Sequence, residues 1–162
     1  MLQWGIPWLL FTAKIQRLTT FALMGIWLGL DVGGKRTGIA ESDEQSLMAF
    51  PRQTILTSEL LNHLKASYSP HNLNGIIIGE PKRLDGSETH GTVFAKMVYN
   101  KIHLLWPDII IHWIDERFTS KIAAQAANIS GAKSRVKKNK SMLDSASACI
   151  ILDSFLTQNK LK

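Results

Sequence analysis

IWLGLDVGGKRTGIAES, Ile26–Ser42, is the stretch on which the fold turns. Its first part is an unbroken apolar run that ends in Asp31, the pattern of a central strand buried on both faces. VGGKR then supplies glycines and charge for a tight turn, and TGIAES can return antiparallel to the first strand. An aspartate closing a two-faced apolar strand is costly unless it is paired, hydrogen-bonded or bound to a cation. Asp31 therefore either caps the turn, taking N–H bonds from Gly33 and Gly34, or forms one wall of a site.

Reading onward, AFPRQTIL gives a third, more polar strand, which Pro51 places near a sheet edge. TSELLNHLKASYS predicts a helix capped by Thr57 or Ser58, with Leu60, Leu61 and Leu64 on one face. NGIIIGEP is a short buried strand. SETHGTVFAKMVYNKIHLLW predicts a second helix and DIIIHWIDER the fifth strand. FTSKIAAQAANISG reads as a third helix ending at Gly131, and SMLDSASACIILDSFL as the last. The order β-β-β-α-β-α-β-α-α predicts an α/β fold: a mixed five-stranded sheet, its first three strands antiparallel, with helices on both faces. In such sheets ligands collect at the carboxyl ends of the strands, where Asp31, Glu80 and Asp115–Glu116 stand.

Composition limits the partners. The chain has 162 residues, 45% of them hydrophobic, enough for one core, and carries a net charge of +6. Residues 1–120 hold eleven Lys/Arg against eleven Asp/Glu, whereas residues 121–162 hold eight against two. The excess is concentrated in AKSRVKKNKS, which is either a solvated basic loop or a contact for a polyanion, nucleic acid before membrane. The single cysteine, Cys149, reads as a small core residue, and the absence of a disulfide framework fits a reducing, cytoplasmic setting. The five histidines show no ligand spacing, and Trp106 and Trp113 read as packing residues.

The first 23 residues are apolar at their start, but Lys14 and Arg17 follow the apolar stretch and no small-residue cleavage site appears. About 20 uninterrupted apolar residues are needed to span a bilayer, so a membrane anchor is a poor reading. The expectation is an extension preceding a natural start at Met24, with one domain over residues 24–162. An interaction segment is the rival.

Three carboxylates stand out. Asp31 ends the first strand and Glu116 the fifth, where Asp115 and Glu116 must point to opposite faces. Glu116 is either a site residue or half of a surface pair with Arg117. Asp144 fits a Ser-x-x-Asp helix start at Ser141, but it also shares a stripe with Ala148, Ile151 and Phe155, the face expected to pack on the sheet. Carboxylates converging on one rim repel unless a cation neutralises them, and Mg²⁺ or Mn²⁺ suits oxygen ligands. Two such ions about 3.5–4 Å apart clamp the attacking and leaving oxygens of a phosphoryl displacement. The adjoining Lys133, Arg135, Lys137, Lys138 and Lys140 would hold a phosphate backbone, with Arg117 a further contact.

LGLDVGGKRTGIAESD, IIIGEPKRLDGSE, IDERFTS and LDSASACIILDSFL, in this order over about residues 25–157, resemble the YqgF (RuvX) family. Its members are small ribonuclease H-like proteins assigned to nuclease processing of the 5′ end of pre-16S rRNA or to Holliday-junction resolution. The resemblance implies Asp31, Glu116 and Asp144 as metal-binding catalytic residues and assigns Lys35 and Arg36 to substrate phosphates. It implies ribosomal RNA as the substrate, with branched DNA the alternative; a monomer and a homodimer are both left open by the sequence. Gly34 stands where threonine is common, Ser147 replaces one of two alanines, and Glu41 and Glu80 put acids at usually apolar positions. Glu80 either adds a fourth carboxylate or disturbs the site.

Two other functions compete. The first hairpin also resembles the phosphate loop of sugar kinases and actin-like ATPases, but those folds need two lobes and a second phosphate loop. A non-catalytic nucleic-acid-binding module would keep the basic loop, yet three clustered acids would weaken its hold on phosphate.

Overall fold

The structure is a computed structural model, and it describes residues 25–83, 85–116 and 140–160. Strands β1 (Ile26–Val32), β2 (Arg36–Ser42) and β3 (Ala49–Leu56) form an antiparallel meander. Helix α1 (Leu60–Ser67) leads to β4 (Leu73–Glu80), α2 (His90–Leu105) to β5 (Ile111–Asp115), and α3 (Lys140–Lys160) closes the described chain. The sheet order is β3-β2-β1-β4-β5, with β4 parallel to both β1 and β5. This is the mixed α/β sheet that the sequence predicts, consistent with a ribonuclease H-like fold.

The apolar runs account for the two layers. Leu28, Leu30, Ile76 and Ile78 face α1 and α2, where they pack with Leu60, Leu64, Ala95, Val98 and Ile102. The alternate residues, Ala40, Ile77 and Ile114, face α3 and meet Ala148, Ile151, Leu152 and Phe155. Ala148, Ile151 and Phe155 of the predicted α3 stripe are therefore buried, and Asp144 at its start is partly exposed. Trp106 and Trp113 pack against the first cluster, as expected. Cys149 is half-buried and donates from Sγ to the Ala49 carbonyl at 3.3 Å.

Pro51 does mark an edge: among the described residues β3 has only β2 as a neighbour, and the register slips between Ile39 and Ala40 opposite it. Several boundaries differ from expectation. α1 begins at Leu60 after a 3₁₀ turn over Thr57–Glu59, and no side-chain cap closes either start. Thr57 is not a cap because its hydroxyl donates to the Gly33 carbonyl at 2.7 Å. α2 starts at His90, where Thr89 and Thr92 form a reciprocal capping box. β5 is shorter than expected. α3 runs from Lys140, so Ser141 already lies within the helix and does not start it, and Lys140 opens a helix where a loop is expected. The predicted helix over 118–131, the extension over 1–23 and most of the basic segment lie outside the described residues. Among the described residues, no helix is long and apolar enough to cross a membrane.

Candidate active site

The β1–β2 turn closes with backbone alone: the Gly33 N–H donates to the Arg36 carbonyl at 2.9 Å. Thr57 braces it from the end of β3, its N–H donating to the Lys35 carbonyl at 3.1 Å. The turn therefore does not depend on Asp31 for closure. Asp31 shares a face of β1 with Trp27, which packs in the α3 layer. Its carboxylate accepts a hydrogen bond from Ser147 of α3.

Glu116 follows β5 directly and, by strand alternation, shares the α3 face with Ile114. To bring it toward Asp31 its side chain must cross β4, which lies between β5 and β1. Gly79 provides the passage, since a β-carbon there would collide with Glu116 Oε1. Asp144 arrives from the other side, one turn into α3, where Arg36 Nε donates to its Oδ2 at 2.8 Å.

Electrostatics ties the three acids together. Burial, and then the charge of Asp144, push Asp31 up to about 6, against the pull of the Ser147 hydrogen bond. Burial, followed by the charges of Asp31 and Asp115, pushes Glu116 up to about 7. Asp31 is thus the hub, coupled to Asp144 on one side and to Glu116 on the other. Carboxylates held this far above their ordinary values at neutral pH are what a hard cation would relieve, and an all-oxygen donor set suits Mg²⁺ or Mn²⁺. The donor chemistry fits. As they stand, however, no three His, Cys, Asp or Glu side chains among the described residues are grouped to hold a metal ion. Of the three acids, Asp144 is paired with Arg36.

Lys35 is exposed on the turn beside this rim. Arg117, Lys133, Arg135, Lys137 and Lys138 lie outside the described residues, and Lys140 enters only as the first residue of α3. The question of Glu80 is resolved by alternation: it shares the opposite sheet face with Ile76 and Ile78, and its Oε2 pairs with Lys82 Nζ at 2.9 Å. Glu41 is likewise elsewhere, between Arg52 Nε at 2.6 Å and the Tyr68 hydroxyl at 2.5 Å. A concavity of about 770 Å³, lined by Gly25, His71, Trp106 and Ile110, lies near the start of β1 and β4. It takes no part in the acidic rim. Sequence reasoning missed one contributor, Ser147. Its signal is the spacing Asp144-x-x-Ser147, which puts both side chains on one helix face.

Comparison with known proteins gives the family of the chain. The family described as "RuvX: Holliday junction resolvase" matches residues 25–158. A Flavobacterium psychrophilum protein named "Putative pre-16S rRNA nuclease" is 36% identical over 131 residues, covering 81% of this chain and 96% of its own. A Phocaeicola vulgatus protein of the same name is 35% identical over 133 residues, covering 82% and 96%. Another from Porphyromonas gingivalis is 32% identical over 133 residues, again covering 82% and 96%.

Proposed function

The chain belongs to the RuvX family, and from that membership we propose a cation-dependent nuclease that hydrolyses phosphodiester bonds at the 5′ end of pre-16S rRNA, in the cytoplasm, during ribosome biogenesis. The observation that carries this reading is the electrostatic coupling of Asp31 to both Glu116 and Asp144 at the carboxyl rim of the sheet. A structural role for these acids would not require three separate elements to bring like charges together.

Asp31, Glu116 and Asp144 would hold one or two Mg²⁺ or Mn²⁺ ions. When bound, such an ion supplies positive charge to the scissile phosphate and lowers the pKa of the attacking water. The remaining steps belong to the chain. Ser147 fixes the Asp31 carboxylate by donating to it. Lys35 and Arg36 draw the phosphate next to the scissile bond toward the rim. Arg117, Lys133, Arg135, Lys137, Lys138 and Lys140 hold the flanking backbone. Water attacks directly, with no covalent enzyme intermediate.

A second reading, a Holliday-junction resolvase, is favoured by the description of the matching family. It requires a symmetric dimer presenting two sites to one junction. One experiment separates the two readings. A labelled 5′-extended 16S precursor RNA and a four-way DNA junction are each incubated with Mn²⁺ or Mg²⁺ beside Asp31→Asn. Cutting of the RNA alone, lost in the variant, supports the processing nuclease. Cutting of the junction alone supports the resolvase, and binding of either without cutting points to a non-catalytic module.

A further inference from the structure

We propose that Arg36 is the resident counter-ion of Asp144 in the substrate-free protein, and that a substrate phosphate takes the guanidinium and so releases the carboxylate to the cation. The proposal rests on the nuclease reading and concerns the regulation of that same site.

The geometry sets two claims on one carboxylate. Arg36 opens β2 and Asp144 stands in α3, yet Nε and Oδ2 are 2.8 Å apart. A guanidinium bonded to Oδ2 and a cation on the same carboxylate would repel each other at close range. The side chains are 31% and 24% exposed, so the pair stands at the rim, where an incoming anion can reach it. Ion pairs at such exposure are weak. Phosphate, by contrast, takes an arginine through charge-assisted hydrogen bonds that suit its planar fork. Exposed Lys35, next in sequence, adds a second positive charge for the same anion.

Exchange of Arg36 from Asp144 to phosphate therefore strengthens the cation site when substrate is present. By linkage, substrate strengthens cation binding and the cation strengthens substrate binding by the same factor. An arginine acting only as a strut between β2 and α3 would leave cation affinity unchanged or lower when removed.

The test is Mn²⁺ affinity of the full chain without nucleic acid, read from the electron paramagnetic resonance signal of free Mn²⁺. Arg36→Gln should bind Mn²⁺ about fivefold more tightly than wild type, the scale of one exposed ion pair, while Lys35→Gln stays within about twofold. Arg36→Lys, which keeps the charge and the fold but shifts the donor away from Oδ2, should fall between wild type and Arg36→Gln. Unchanged or weaker binding in both Arg36 variants overturns the proposal. So does equal tightening in Lys35→Gln, which would mean a general field and not this contact. Binding of labelled 5′-extended 16S precursor RNA, read by anisotropy before turnover, should be strengthened by Mn²⁺ more in wild type than in Arg36→Gln. Equal strengthening overturns the release step. The parent reading fails separately, if Asp31→Asn binds Mn²⁺ as wild type does.

Discussion

A β-carbon at Gly38 would collide with the carbonyl oxygen of Asp144 and lie 2.8 Å from the backbone nitrogen of Ser145. The first turn of α3 therefore rests directly on the backbone of β2. Gly38 is also the register partner of Asp31 across the β1–β2 pair. One position thus sets the distance between two of the three candidate ligands.

Gly38→Ala should accordingly lift the start of α3 off the sheet. Overpacking at a tight contact costs about 1–3 kcal/mol, and backbone atoms cannot step aside as a side chain can. Thermal unfolding should show a clear drop in Tm, with Mn²⁺ binding weakened more than global stability implies. Gly34→Ala is the contrast. The atoms nearest its β-carbon belong to the ring of Phe94, a partly exposed side chain that can turn, so less than about 1 kcal/mol should be lost.

The raised acidities make a prediction about stability without metal. Folding moves Asp31 from an ordinary 3.8 to about 6 and Glu116 from 4.5 to about 7. The folded state then binds protons more tightly than the unfolded one. Stability should fall as pH rises from about 4 to about 7, and the loss should be complete above that window. In the presence of a chelator, Asp31→Asn should raise Tm by several degrees at about pH 8 and by almost nothing at about pH 4. An Asp31→Asn protein less stable than wild type at the higher pH would mean that Asp31 is a structural acid.

Ser147→Ala removes the one hydrogen bond that opposes the rise in Asp31's pKa. The pH profile of cleavage should move to higher pH on its acidic limb, and the rate below neutrality should fall by about 10-fold, the loss of one hydrogen bond to a charged group. Ser147→Thr keeps the donor and should restore the profile.

The basic segment is tested through salt. Neutralising both Lys137 and Lys138 should weaken RNA binding across sequences and lower the slope of log affinity against log salt by about 0.7 for each phosphate that no longer meets a lysine. An unchanged slope would return these lysines to a solvated loop.

Much of the fold is legible in the sequence because its cause is local. Unbroken apolar runs such as IWLGL and GIIIG, short and bounded by glycine and charge, are the pattern of central strands, and Pro51 argues against a central position for the third. Asp31, Glu116 and Asp144 stand out because an acid ending a buried strand, or facing inward from a helix, needs a reason. The contacts that organise them are not legible. Arg36 and Asp144 are 108 residues apart, and Thr57 gives its hydroxyl to a turn 24 residues earlier. Such pairings follow from strand order and register, which no local pattern encodes. The same holds for Glu80, whose role depends on which face of β4 carries it.

The most direct test of the account is cleavage of 5′-extended 16S precursor RNA by wild type and Asp144→Asn, side by side in Mn²⁺ with folding checked by circular dichroism. Loss of a direct ligand should exceed the 10–100-fold range typical of supporting residues, so the folded variant should be slower by more than about 100-fold. A folded Asp144→Asn protein that cuts at the wild-type rate would contradict the three-carboxylate site.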